Sequence, residues 1–170
     1  MTTVASDSGP FIHLAIIKQF ALLQRYFLSV VTIREVYDEV VTHGRELPGS
    51  QELAAACETG FVRLIEIGNP RLIPDLRQAA PPEISDVDVT VLALAIDQQL
   101  PLLSDDEPLR SFAKTQGRVV SGSIGILLQA RLDGVIPALK PLLDQLIAAG
   151  FHLNPQGSVY QDAVRQVGEA

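Results

Sequence analysis

The side chains best equipped for chemistry in this chain are carboxylates, and they recur in short groups: Asp7; Glu35, Asp38 and Glu39; Asp86 and Asp88; Asp105, Asp106 and Glu107. No one group is a chelate by its own spacing. A hard cation such as Mg²⁺ or Mn²⁺ nevertheless needs only three or four carboxylates, because it prefers oxygen ligands and keeps several waters. Such an ion lowers the pKa of a bound water and offsets charge on a phosphodiester under attack. The three histidines, His13, His43 and His152, lack metal-ligand spacing. The single Cys57 excludes both an internal disulfide and a Cys-rich zinc site. Oxygen chemistry is what this inventory offers.

Most of these acids also have a structural reading. Asp7, before Ser8-Gly9-Pro10, is placed to cap a helix, and Glu35 is the third helical residue of the capping-box pattern Thr32-Ile33-Arg34-Glu35. Asp88 stands three residues after Ser85 and could complete a cap, while Asp86 suits the positive end of a helix dipole. One of Asp105, Asp106 and Glu107 caps the helix opened by Pro108. Glu39, a turn beyond Glu35, is not needed for capping. Two further features accompany the acids. Ser121-Gly122-Ser123 ends a strand, so its N–H groups and the Ser123 hydroxyl could face a phosphate or simply form a turn and cap. Arg110 and Lys114 share a helical face near Arg118 and are candidates for RNA phosphate, with a solvated face as the plainer reading.

The elements that position these residues alternate. Strands are expected at Thr2 to Ser6, Leu28 to Thr32, Phe61 to Ile67, Leu102 to Ser104 and Arg118 to Ser121. Apolar periodicity predicts helices over Phe11 to Phe27, Thr32 to Thr42, Ser50 to Thr59, Ser85 to Gln98 and Pro108 to Gln116. Gly68 to Pro82, rich in Pro and polar residues, reads as a long loop or flap. After Ser121 the chain is helical only: Ser123 to Leu132, Pro137 to Ala149, and a short helix over about Ser158 to Val167. Alternation of this kind implies an α/β fold with a central parallel sheet of about five strands between two helical layers, plus extra C-terminal helices. Residues 1–150 form the main domain, and residues 151–170 a tail packed on it. Ligands of such sheets sit beyond the carboxyl ends of the strands. Asp7, Asp105 and Asp106 fall there.

Composition sets the outer bounds. With 170 residues, 47% hydrophobic and 19% charged, the chain can bury a core of its own. The N-terminal MTTVASDSGP lacks a basic, apolar leader, and no stretch is apolar enough to span a membrane, so a cytoplasmic protein is expected. A net charge of −7 opposes broad electrostatic binding to nucleic acid, although a divalent ion among the acids would offset part of it locally. The apolar residues of Ile124 to Leu132 and Leu139 to Ile147 exceed what a minimal five-stranded domain needs, which suggests a homodimer.

The segments SDSGPFIHLA, VTIREVYDEVV, ISDVDVTVLALA, LLSDDEPLRSFAKTQG and SGSIGILLQARLDGVIPALKPLLDQLIAAGFHL, with the tail helix, closely resemble the VapC-like branch of the PIN-domain family. The resemblance covers nearly the whole chain. It implies a parallel-sheet α/β/α fold and a Mg²⁺- or Mn²⁺-dependent endoribonuclease, with RNA as substrate and, for the many toxins of the family, a small antitoxin as partner. By position, the family's acids match Asp7, Glu39, Asp88 and either Asp105 or Asp106, all catalytic or metal-binding. Alignment on Ala113 selects Asp105; spacing after a Ser or Thr selects Asp106. Ser8, Ser123, Arg110 and Lys114 are the residues placed for substrate. A catalytically inactive PIN scaffold that binds protein or RNA is the competing reading, which the intact acids oppose. Aspartyl phosphotransfer fits less well. Gly9 stands where haloacid-dehalogenase-type phosphatases carry a second acid, and Val119 to Ser123 lacks the Lys of receiver domains. No Gly-rich phosphate loop with Lys is present either.

Overall fold

The computed structural model describes residues 1–169. Five strands, β1 (Thr2–Ser6), β2 (Phe27–Thr32), β3 (Val62–Leu64), β4 (Leu102–Leu103) and β5 (Val120–Ser121), form one parallel sheet in the order β3-β2-β1-β4-β5. Val4, Ala5 and Ser6 are buried in succession, as are Val30, Val31 and Thr32. Consecutive burial, instead of alternation, means that both faces of the sheet are covered, as parallel sheets require. The helices supply that cover, giving the expected three layers.

The strand order has a consequence for function. From β1 the chain builds outward through β2 and β3, then returns to add β4 on the other side of β1 and continues to β5. The order therefore reverses between β1 and β4, and the crevice at a parallel sheet's binding end opens at such a switch point. Asp7 leaves β1 on one side of it, and Ser104, Asp105 and Asp106 leave β4 on the other. The two strand ends are tied together directly, since Asp7 N donates to Leu103 O at 3.2 Å.

Several element boundaries depart from the sequence expectation. The predicted first helix is two: α1 (Ser8–Ile16) and α2 (Leu22–Tyr26), separated where Lys18 takes φ 57°. Lys18 N and Gln19 N turn back onto Ala15 O and Leu14 O, a helix stop that normally advertises itself with glycine. The Thr32 capping box does not form. Helix α3 (Arg34–Tyr37) starts after Ile33 without a side-chain cap, because the Thr32 hydroxyl donates instead to Ser6 O at 2.7 Å. It continues as a π-helical stretch, Asp38–His43. The Gly68 to Pro82 segment is not a loop throughout; it contains α5 (Leu72–Ala79), whose Pro74 occupies the first turn, where a missing N–H costs no helical hydrogen bond. The edge strand β3 is shorter than its apolar run because only three of its residues pair with β2. The remaining helices fall within a few residues of expectation: α4 (Ser50–Glu58), α6 (Asp86–Asp97), α7 (Glu107–Thr115), α8 (Ser123–Leu132), α9 (Lys140–Ala148) and α10 (Ser158–Gln166).

The apolar residues of α8 and α9 credited to an intersubunit face are mostly spent inside the chain. Ile126, Leu127, Ala130, Leu139, Leu143 and Leu146 belong to its own core, together with Tyr160, Ala163 and Val164 of α10. Leu132 and Val135 remain exposed. Among the described residues no helix is long and apolar enough to cross a membrane.

Candidate functional site

Asp7 is the centre of the crevice. It is only 3% exposed, and although it stands before α1 its side chain caps nothing. One oxygen, Oδ2, accepts a short hydrogen bond from the Ser104 hydroxyl. The other, Oδ1, is buried with no partner among the described residues. A buried carboxylate oxygen without a donor is expensive unless something else neutralises it. Burial pushes the Asp7 carboxyl well above the ordinary 3.8. The Ser104 bond opposes that rise, and the charges of Asp105, Asp88 and Asp106 add to it.

Helix α6 brings Asp88 to the same place. Ser85 caps the helix by accepting from Asp88 N at 3.1 Å, and its hydroxyl donates to Asp88 Oδ2 at 2.8 Å, so the capping role foreseen for Asp88 is real. It does not exhaust the residue. Burial raises the Asp88 carboxyl, Ser85 partly restrains it, and the charges of Asp106 and Glu39 push it further up. Glu39, on the π-helical stretch, accepts from the Ser8 hydroxyl at 3.0 Å. The charges of Asp105, Asp88 and Asp106 thus act on Asp7, and those of Asp106 and Glu39 act on Asp88, so these five acids share one another's fields. Asp86 instead lies 91% exposed and pairs with Arg77 at 3.3 Å, and Glu35 is exposed on α3.

The two acids after β4 divide the work. Asp106 caps α7 by accepting from Leu109 N at 2.8 Å through Oδ1, and its residue is otherwise exposed. Asp105 is enclosed: Oδ1 accepts from Ser123 N at 2.7 Å, while Oδ2 meets the Ser123 hydroxyl at 2.6 Å and His13 Nδ1 at 2.8 Å. Both Ser123 donors thus point at a carboxylate. Gly122 makes this approach possible, since a Cβ there would stand 2.7 Å from both Asp105 Oδ1 and Arg110 Nη1 and 2.8 Å from Ser104 O. Gly9 on α1 is less constrained, since a Cβ there would lie 3.4 Å from Asp105 Cβ and 3.6 Å from Asp7 Oδ1 and His13 Cε1, all ordinary contacts.

Of the two cations, Arg110 joins the site, with Nη1 donating to Ser104 O at 2.7 Å. Lys114 is exposed a turn further along α7 and makes no hydrogen bond to the acids among the described residues. Two contributors escaped the sequence reading. Ser104 was visible only as the end of a strand, and His13 only as a histidine without ligand spacing; their partners lie 97 and 92 residues away.

Among the described residues no three Asp, Glu, His or Cys side chains converge tightly enough to grip an ion by themselves. The donor set still fits a hydrated one. Asp7 Oδ1 lacks a partner among the described residues, and the surrounding carboxylate charges repel one another until a cation intervenes.

The family model DUF3368, described as a PIN domain, matches residues 3–169. No curated protein matches the chain.

Proposed function

The chain belongs to the PIN-domain family, a family of nuclease-type fold, and from that premise we propose that it is a metal-dependent endoribonuclease. The observation that carries the reading is Asp7, a buried carboxylate at the switch point of the sheet with one oxygen unpartnered and three further acids raising its pKa. Asp7, Asp88 and Asp106 would hold Mg²⁺ or Mn²⁺. Asp106 takes the fourth acid's place because both oxygens of Asp105 are already occupied by Ser123 and His13. When bound, the ion activates a water and offsets charge on the scissile phosphate. Glu39, whose Oε1 accepts from the Ser8 hydroxyl, would serve as the proton acceptor of the site through its other oxygen. Arg110 offers its remaining N–H groups to a substrate phosphate. Asp105 holds the β4 end, the start of α8 and His13 in one arrangement, and so acts as a positioning residue.

The resemblance to the VapC-like branch extends the proposal to a toxin with a small antitoxin partner, working in the cytoplasm as a homodimer through its exposed Leu132 and Val135. Light scattering at micromolar concentration tests the dimer, and a monomer rejects it. An adjacent reading frame whose small product binds and inhibits the protein tests the toxin role.

The central experiment incubates purified protein with mixed single-stranded RNA, with Mn²⁺ or with chelator, beside Asp7→Asn. Metal-dependent cleavage that Asp7→Asn abolishes is expected. RNA binding without cleavage at any metal concentration would instead identify an inactive scaffold.

A further inference from the structure

Beside the acid crevice, on the far side of Asp105, the end of β5, the start of α8 and the segment from 151 to 159 enclose a cavity of about 570 Å³. That is within the size range of small-ligand pockets. We propose that this cavity receives one base of a single-stranded RNA whose phosphate lies at the crevice, and that Asn154 reads the base's edge. The proposal rests on the nuclease reading above.

Continuity is the first argument. Asp105 and Arg110 belong both to the crevice and to the cavity wall. A strand leaving the acids toward the cavity would therefore pass the Arg110 guanidinium, the one Arg or Lys in that wall. Arg110 also pairs through Nε with Glu107 at 3.5 Å, and Asp105 and Glu107 share the wall, so the cavity suits one nucleotide and not a long polyanion, in keeping with a net charge of −7.

The wall chemistry is the second argument. Val120, Ile124, Phe151 and Val159 supply apolar surface. Phe151 is held edge-to-face against His13, with centroids 4.6 Å apart, so the aromatic wall is anchored to the same network that holds Asp105. Val159 is 59% exposed although it lines the cavity, which leaves an apolar side chain for a ligand to cover. Gly125 exposes bare helix in the wall; a Cβ there would press on Ser121 Oγ at 3.0 Å. Unpaired bases are recognised by such apolar and aromatic surfaces, with hydrogen bonds confined to their edges.

Asn154 meets the edge requirement. Its Oδ1 accepts from Gln156 N at 2.9 Å, which fixes the amide's orientation, because a backbone N–H can only donate. The Nδ2 hydrogens have no acceptor among the described residues, and the residue lines the cavity. Asn154 is exposed at the cavity's edge, and its free amide donors suit the carbonyl oxygens and ring nitrogens of a base entering there. Gly157 N closes the turn onto Asn154 O at 2.9 Å and holds the reader in place.

The test titrates the full chain, without metal, with the four ribonucleoside 5′-monophosphates and a tetraribonucleotide, following amide NMR signals. At least one monophosphate should move the amides of 120–125 and 151–159. Val159→Trp, at an exposed position, should fill the cavity and weaken that binding about tenfold or more. Asn154→Ala should change the ranking among the four bases. The tetranucleotide should bind tighter than its best mononucleotide. Shifts confined to the acid crevice, or Val159→Trp binding like the wild type, would overturn the proposal. Equal affinity for mononucleotide and tetranucleotide would overturn it too, by identifying a free-nucleotide site. Since no metal is present, this result is independent of whether the chain cleaves RNA.

Discussion

At the scale of single residues, Asp7 sets how the metal-free protein responds to pH. Burial and neighbouring charges raise its carboxyl in the folded state, so the folded chain holds that proton more tightly than the unfolded chain. A raised folded value contributes stability below the ordinary 3.8, and this is lost as pH rises through the folded value. Asp88 acts in the same direction. Asp97 acts with opposite sign, its carboxyl lowered by the Gly68 N–H, and so does Glu169, lowered by its Lys140 and Arg131 contacts against the effect of burial. Comparison with Asp7→Asn isolates the first residue. The wild type in chelator should lose more stability than Asp7→Asn as pH is raised from about 4 toward neutrality, and Mn²⁺ should restore more to the wild type. Parallel denaturant-unfolding profiles for the two proteins would reject a raised Asp7. Gly122→Ala tests the close approach at the other wall. Crowding against Ser104 O and two side-chain ends should cost about 1–3 kcal/mol, read from the same denaturation curves. Asp7, Asp105 and Asp106 were legible from sequence because a general rule about strand ends points to them, and Glu39 and Asp88 because of the family resemblance. Ser104 and His13 were not, since each acquires its role only when distant strand and helix ends meet.

At the scale of elements, the segment read as a flap shows how local composition misleads. Pro and polar residues between 68 and 82 suggest a loop, yet the first-turn Pro74 permits α5, and Leu76 anchors the helix in the core. The break at Lys18 was hidden for the converse reason, because no glycine or proline marks it. Strand order was beyond the sequence altogether: alternation implies a parallel sheet but does not say that β4 returns beside β1. Helix α5 matters to the site through Arg77. Its guanidinium donates to Ile84 O at 2.5 Å, Pro81 O at 2.8 Å and Ala80 O at 3.4 Å, which clamps the connection leading to Ser85 and Asp88. Removing a donor that satisfies several carbonyls costs about 1–3 kcal/mol. Arg77→Ala should therefore lower stability by that order and speed amide exchange across residues 80–88. RNA cleavage should fall with it, although Arg77 touches none of the crevice acids. Unchanged exchange in that stretch would show that α6 is positioned by its core contacts alone.

At the scale of the whole molecule, the question is whether residues 151–170 are an appendage or part of the folded unit. The tail was expected to pack on the main domain, and its contacts are specific. Tyr160, Ala163 and Val164 are buried, and the Tyr160 hydroxyl donates to Asp144 Oδ1 at 2.6 Å and lies 3.0 Å from Lys140 Nζ. Glu169 accepts from Leu139 N at 2.9 Å and Lys140 N at 2.7 Å, and pairs with Arg131 Nε at 2.7 Å. One carboxylate thus satisfies orphan N–H groups at the start of α9 and links that helix to α8. Phe151 meanwhile rests on His13, so the tail also reaches the network behind the crevice. A tail held in this way should unfold with the domain in one transition, not before it. Tyr160→Ala removes a buried aromatic ring and both of its polar contacts, and should cost about 3 kcal/mol or more. The measurement is chemical denaturation followed in parallel by circular dichroism and by a fluorophore on the tail helix. Coincident transitions in the wild type and a shared downward shift in Tyr160→Ala are expected. A tail signal that melts first, with the main transition unmoved by Tyr160→Ala, would make residues 151–170 a separable appendage and remove one wall from the proposed base pocket.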